Sequence, residues 1–325
     1  MFVSKRKIAG KHYFYLEDRI GKKRVSISLG KKEQIPGRME NAFDEIVKKI
    51  TLENFRISQK KSKSKVLSLA EMLALERLKV DYELLKDFFP EGYESFKDDE
   101  FVRYAQGSAS VEGNSLSLQE AALVLQKGTS IAGKKIEEIR EIENMKLAAE
   151  VSKKIKEINE KNIKKINAAI LKGFDDKNPG EYRTGPVFIT ASQVKPPSAD
   201  KVKENMAKLL EWLEKNKEKI HAIELVSEFH ARFEEIHPFN DGNGRTGREI
   251  ANIMLGNSGF PRAIINLENR QSYIVLLERV QLNKEYGKFS RFIYQCLEKR
   301  ADEISRILAD NKKAILNKIT KKALK

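Results

Sequence analysis

Cysteine is almost absent from this chain: Cys296 is the only one in 325 residues. That excludes an intrachain disulfide and a cysteine-rich zinc module, and it fits a reducing compartment, so a cytoplasmic location is expected. No apolar run approaches the roughly 18–20 residues of a membrane span. No basic-then-apolar leader opens the sequence either, so neither a span nor a secretory signal is expected. With four histidines and one tryptophan, the chain also has little material for a histidine-rich metal centre.

What the chain has in excess is positive charge, unevenly placed. Lys and Arg number 62 against 47 Asp and Glu, a net +15. Residues 1–65 hold 18 of the cations and 7 of the acids, so most of the excess sits in the first fifth. Heavy Lys, Glu and Ile use leans toward a thermophile's composition. An apolar fraction of 40% supports a globular fold, and the length suits one large or two modest domains.

The first 34 residues differ in kind from the rest. Phe2-Val3, Lys11–Asp18 and Arg24–Leu29 show strand-like alternation, with turn signals at Gly10-Lys11 and Gly21-Lys22, and predict a three-stranded antiparallel sheet. Helical spacing follows over Gly37–Ile57, then a Ser/Lys run over Ser58–Lys65 expected to be a solvated linker or exposed loop. A short basic sheet beside a helix resembles, in composition, the arm-type DNA-binding modules of some recombinases. Residues 1–65 are therefore expected either to touch nucleic acid or to serve docking and solubility.

Beyond Val66 the pattern is helical almost throughout. Helices are expected over Val66–Phe89 and from Tyr93, broken by Pro90 and Gly92. A capping box at Ser117–Glu120 opens another that closes at Gly128. Two helices fill Lys134–Gly173, and Val202–Leu213 and Ile220–Ile236 follow. Between these lie Pro186–Ile189 and Ser192–Val194, a short hairpin candidate ending at Pro196-Pro197. Asn269–Leu282 and Phe289–Leu308 come last, with a lysine-rich tail or helix after Asn311.

The most informative stretch is His237-Pro238-Phe239-Asn240-Asp241-Gly242-Asn243-Gly244-Arg245-Thr246-Gly247-Arg248. Closely spaced glycines let backbone N–H groups converge on one point, an anion-binding nest. The helix expected over Arg245–Leu255 presents its positive end to the same point. Arg245 and Arg248 are i, i+3 neighbours on that helix. Asp241 offers hard oxygen for a magnesium ion that also meets phosphates. His237 offers a base near neutral pH, although its place at a helix C-terminus works against that role and a nearby cation for it. His230 and His237 lack a cysteine or carboxylate at ligand spacing, so zinc is not expected and His230 reads as a core residue.

These twelve residues resemble the Fic family signature, H-x-F-x-[DE]-G-N-G-R-x-x-R, and match every fixed position. Upstream, Ser108 and Glu112-Gly113 are similar to that family's inhibition motif, [ST]-x-x-x-E-[GN]. The resemblance implies a mainly α fold: a Fic-type helical bundle with a small flap hairpin, preceded by a small α+β N-terminal module. It divides the chain into a basic module (1–60), a helical region with the inhibition motif (66–130), a catalytic core (131–310) and a basic tail (311–325). A further DNA-binding domain of the kind some relatives carry is not expected at this length.

The resemblance also implies the chemistry. Such proteins transfer a nucleoside monophosphate, usually AMP from ATP, to a hydroxyl of a protein. His237 would take the hydroxyl's proton, and Asp241 would hold Mg2+. Gly242, Asn243 and Gly244 would cradle the α-phosphate, and Arg245 and Arg248 the β- and γ-phosphates. Phe239 would anchor the loop, Tyr273 would line the base pocket, and the flap would grip the target chain by edge pairing. Ser108, Glu112 and Gly113 would hold the enzyme off, Glu112 by pairing with Arg248. The expected partner is a protein with a Ser, Thr or Tyr hydroxyl, the chain itself included, and a homodimer is compatible with this reading. Three alternatives stay open: transfer of another phosphate-containing group, removal of AMP by the same centre, and a DNA-associated regulator with a vestigial centre. The Gly-Asn-Gly run argues against the phosphorylating Doc branch.

Overall fold

The structure, a computed structural model, describes residues 1–189 and 192–324. They form two compact units: Met1–Ser62, Leu67–Glu94 and Glu298–Lys325 in one, and Lys63–Val66 with Ser95–Leu297 in the other. Helices dominate both, and the described residues contain one sheet of three strands.

In the first unit, β1 (Phe2–Ile8), β2 (Lys11–Ile20) and β3 (Lys23–Gly30) pair antiparallel in sequence order. The register places Leu16 opposite both Val3 and Ile27. Period-2 alternation then puts Phe14, Leu16, Val25, Ile27 and Leu29 on one buried face. Helix α1 (Ile35–Lys61) covers that face with Ile35, Met39, Phe43, Ile46, Val47 and Ile50, a 3.6-period stripe. Helices α2 (Leu69–Phe88) and α12 (Lys312–Leu324) also contact α1.

One expectation changes here and one open alternative closes. The first half of the linker expected over Ser58–Lys65 is helix, because α1 runs on to Lys61. Residues just beyond it are fixed rather than solvated: Lys65 and Val66 donate their N–H groups to the Glu224 carboxylate, at 3.1–3.3 Å. Of the tail or helix expected after Asn311, the structure shows the helix: the last lysines lie on α12, whose Ile315 and Ile319 are buried and whose Lys312 pairs with Asp44 at 2.9 Å and Glu40 at 3.0 Å. A cut before Val66 would therefore strip α2 and α12 of the helix they contact.

Among the described residues, the regular elements of the second unit are helices. α4 (Leu118–Lys127) begins with the expected capping box at Ser117 and Glu120 and ends at Gly128, which takes φ +63°. α5 (Ile136–Ser152), α6 (Glu160–Ile170), α7 (Val202–Asn216), α8 (Ala222–Ile236), α9 (Asn243–Asn257) and α10 (Leu267–Asn283) complete it. α3 (Pro90–Val111) and α11 (Tyr286–Asp310) have residues in both units. The main packing pairs are α8 with α9, α5 with α6, and α6 with α9, which sets the signature loop at the meeting of three helices.

The hairpin expected at Pro186–Ile189 and Ser192–Val194 is not a strand pair among the described residues; Thr190 and Ala191 lie outside them. Ser192 N–H donates to Ile189 O at 3.2 Å. Glu278 takes the place of a ladder, accepting from Ser192 Oγ and Gln193 N–H, both at 2.7 Å. Pro186, Pro196 and Pro197 have no N–H to give a ladder.

Candidate functional site

The site is built from the end of α8 and the start of α9. Pro238 cannot continue a helix, so α8 stops at His237, which caps it with left-handed backbone at φ +49°. The His237 ring accordingly sits at the helix end, half-buried, with Nδ1 3.3 Å from Glu234 O. A carbonyl can only accept, so Nδ1 carries the proton and Nε2 keeps its lone pair. Burial pulls the His237 pKa below its ordinary value, against upward pulls from Glu234 O, Glu112 and Asp241. Desolvation thus outweighs the helix-end effect, and the ring is a neutral base at neutral pH. The acid limb of a pH–rate profile is expected below 6.5, with activity lost as pH falls through the depressed pKa. A limb above pH 7 would contradict this.

The loop between the helices is tied from inside. Phe239 is buried, its ring 5.5 Å from Tyr182 and 6.4 Å from Phe233. Asn243 closes the loop on itself: its Oδ1 accepts from Phe239 N–H and its Nδ2 donates to Phe239 O, both at 2.9 Å. The Asn243 side chain is thus engaged with the loop, leaving its backbone N–H for a ligand. Gly242, at φ +70°, precedes α9 without a side-chain cap. The first amides of α9 therefore lack the usual capping partner and suit an anion.

Arg245 stands beside them, buried, with Nη1 2.9 Å from Glu141 and Nη2 3.5 Å from Asp241. Its Nε lacks a hydrogen-bond partner despite its burial, while Nη1 is engaged by Glu141. Asp241 keeps 43% of its side chain exposed. No group of three His, Cys, Asp or Glu residues suited to a metal occurs among the described residues. A cation held by Asp241 must then take its other ligands from phosphates and water, which is how magnesium is usually bound beside nucleotides.

Arg248 lies one turn further into the core. Its Nε and Nη2 donate to Ser108 Oγ and Ser108 O, at 2.9 and 2.8 Å, and Nη2 also donates to Glu112 Oε1 at 2.9 Å. Gly113, at φ +104°, turns the chain immediately after Glu112. Arg248 is 3% exposed and Glu112 40%, so this pair spans the boundary between core and solvent. Burial would raise the Glu112 pKa, but Arg248, then Arg245 and His237, override it and lower it. A Cβ on Gly244 would collide with Glu112 Oε1, so the glycine lets the carboxylate reach over the first turn of α9.

Tyr273, expected at a base pocket, is instead buried beneath Arg248. Its hydroxyl lies 3.4 Å from Arg248 Nη1 and 2.8 Å from His230 Nε2. A tyrosine at helical spacing reads equally as a pocket wall or a core prop, and burial decides for the prop here. Behind it, burial drives His230 down to about 3 and Glu234 up to about 8. Both are neutral at pH 7, and the charges near the site are those of Arg183, Arg245, Arg248, Asp241, Glu112 and Glu141.

Three supporting residues escaped the sequence reading. Asn167 donates to Asp241 O and Thr246 Oγ1 and accepts from Gly180 N–H, stapling the loop to α6. Its signal was a polar residue within the apolar stripe of Ile163, Ile166 and Ile170, since buried amides are nearly always bonded. Glu141 joins Arg245 to Asn114, whose Nδ2 donates to it at 2.9 Å. Arg183 is buried without a carboxylate; its guanidinium donates to His237 O (2.8 Å), Gly185 O (3.0 Å) and Pro197 O (2.5 Å). It ties the histidine's backbone to both ends of the 186–196 loop. Arg183→Met is expected to lower the melting temperature by about 5 °C, given charge-assisted bonds of roughly 1.5–3 kcal/mol partly offset by desolvation. The same change should reduce kcat, and a variant unchanged in both would remove this role.

Comparison with known proteins agrees with the signature loop. The Fic/DOC family model matches residues 157–255, the stretch that contains the loop and α9. The chain therefore carries a Fic/DOC domain over this stretch. It is 30% identical over 212 residues to "Protein adenylyltransferase Fic" of Drosophila virilis, covering 63% of this chain and 43% of that protein. It thus spans less than half the length of such relatives. Among solved structures, a Fic domain containing signaling protein from Bacteroides thetaiotaomicron superposes with a TM-score of 0.63 at 23% identity, over 71% of this chain and 95% of that one. A Fic-1 fragment from Caenorhabditis elegans does so with a TM-score of 0.58 at 21% identity, over 86% and 94%. Within the Fic domain lie His237, Asp241, Arg245 and Arg248. Ser108, Glu112 and Tyr273, which contact Arg248, lie outside the matched residues.

Proposed function

We propose that this chain is an autoinhibited protein adenylyltransferase, moving AMP from ATP to a Ser, Thr or Tyr hydroxyl of a target protein and of itself. The observation that carries the reading is a buried Arg245 whose Nε lacks a hydrogen-bond partner, beside the uncapped amides of α9. With His237 at the lip, the set matches a triphosphate and an incoming hydroxyl. The related proteins named adenylyltransferases support the choice of nucleotide.

In this reading the backbone amides at Gly242–Gly244 bind the α-phosphate, and Arg245 and Arg248 bind the outer phosphates. The hydroxyl oxygen attacks the α-phosphorus, its proton passes to His237 Nε2, and pyrophosphate leaves. Asp241 would hold Mg2+, which when bound neutralises phosphate charge. Arg183 keeps His237 in place. The target segment would lie along the 184–199 loop, where Phe188 is 89% exposed beside a groove of about 490 Å³. Open N–H and C=O groups on such a loop hold extended chains with little sequence preference.

Autoinhibition rests on Glu112, which occupies the guanidinium that the γ-phosphate would need. The same carboxylate sits among Arg248, Arg245 and His237, which favours a second activity, orienting water for removal of AMP. A cytoplasmic setting belongs to this reading, and no described helix is long and apolar enough to cross a membrane. Incubation with ATP labelled at the α- or the γ-phosphate tests it. Protein labelling from the α-label alone is expected, and labelling from the γ-label would assign phosphoryl transfer instead.

A further inference from the structure

The first unit carries a strongly basic sheet face. Residues 1–30 hold eight Lys and Arg against two acids. The strand register sorts them: with Phe14 and Leu16 turned to α1, the opposite face shows Arg6, Tyr13, Tyr15, Arg19 and Arg24, with Lys11 and Ile8 paired at the β1–β2 turn end. At its centre lies Glu17, wholly covered, ion-paired with Arg6 and with Arg24 Nε at 3.5 Å. Arg6 also lies 4.3 Å above the Tyr15 ring. The two arginines are thus laid flat on the sheet while keeping 41% and 48% of their side chains exposed. One buried acid neutralises only one of two guanidiniums, and Lys11 and Arg19 on the same face, with Lys22 in the β2–β3 turn, add further exposed cations. Fixing a guanidinium in advance removes much of the entropy cost of a later contact.

We infer that this sheet face binds duplex DNA, the arginines meeting phosphates and base edges in the major groove. Charge complementarity calls for a polyanion. Shape selects the duplex: three strands at about 4.8 Å spacing span roughly 10 Å, within a major groove about 12 Å wide. The major groove of A-form RNA is too narrow for side chains to enter. Ser26 and Ser28, on the same face, add short hydrogen-bonding groups of the kind that read base edges.

Because α1 also contacts α2 and α12, the test uses the full chain. Fluorescence anisotropy of a labelled 30-base-pair duplex is measured across salt concentrations. Wild type is expected to bind at low salt, with affinity falling steeply as salt rises. Lys11→Gln with Arg19→Gln leaves the Glu17 pairs intact. It should weaken binding at least tenfold and lower the salt slope by about 1.8, at about 0.9 per lost phosphate contact. Lys321→Gln with Lys322→Gln removes the same charge from α12 and should bind as wild type does. Failure of the duplex to bind, equal losses in both double variants, or tighter binding of a single-stranded RNA of the same length would each overturn the inference. The readout involves no nucleotide transfer, so it stands or falls independently of the Fic centre.

Discussion

Replacing His237 by alanine is expected to slow transfer of label from α-labelled ATP at least a hundredfold while the protein stays folded. General bases contribute about 10²–10⁴-fold, and His237 is the neutral imidazole at the mouth of the anion site. Its packing is slight, since the ring is half-buried and Nδ1 makes one long bond to Glu234 O. The backbone at φ +49° is a cost for alanine, so His237→Asn, a residue type that tolerates left-handed backbone, serves as a second variant. Asp241→Ala should behave alike, because that side chain is 43% exposed and its main internal bond is to Gly242 N–H. Melting temperatures within a few degrees of wild type are expected for all three. Such melts combined with undiminished labelling would remove both residues from the chemistry.

The second large effect is of opposite sign. Glu112→Gly should raise self-labelling or target labelling about tenfold. Arg248 would stay in position, because Ser108 Oγ, Ser108 O and Tyr273 hold it from the core side. What changes is that the guanidinium becomes free to accept the γ-phosphate. A charge-assisted hydrogen bond contributes roughly 1.5–3 kcal/mol when sheltered, and an exposed pair at most about 1 kcal/mol. Glu112 is 40% exposed against a buried partner, so about 1–2 kcal/mol is appropriate, and 1.4 kcal/mol corresponds to a factor of ten. Glu120→Gly is the control: Glu120 caps α4 through Ser117 and touches nothing in the site. Wild-type labelling by Glu112→Gly, with ATP still bound, would show that the pair is structural.

Much of the helical framework was legible because its signals are local. The Ser117–Glu120 cap, the stop at Gly128 and the break at Pro238 act within one turn, and the structure places helix ends at each. The signature loop could be picked out because its glycines, acid and arginines are adjacent in the chain. Where sequence reasoning missed, a distant partner decided. Ser58–Lys61 looks like a solvated run, yet it extends α1, and Lys65 beyond it meets Glu224. The Asn243 side chain looks like a phosphate ligand until the Phe239 backbone takes it, leaving only its N–H for that role, and Tyr273 looks like a pocket wall until Arg248 covers it.

By itself, then, the sequence determined the chemistry on offer: a base, a hard-oxygen ligand, two arginines and a glycine-rich helix start, within a mostly helical chain. Short-range propensity and residue type are enough for that. Tertiary structure alone decided which groups are charged and which are engaged. Burial made His237 a neutral base against the pull of its helix end. Contacts between α3 and α9, 140 and 136 residues apart in the chain, put Ser108 and Glu112 on Arg248. Desolvation and long-range contact are properties of the packed chain, and no local run of residues encodes them.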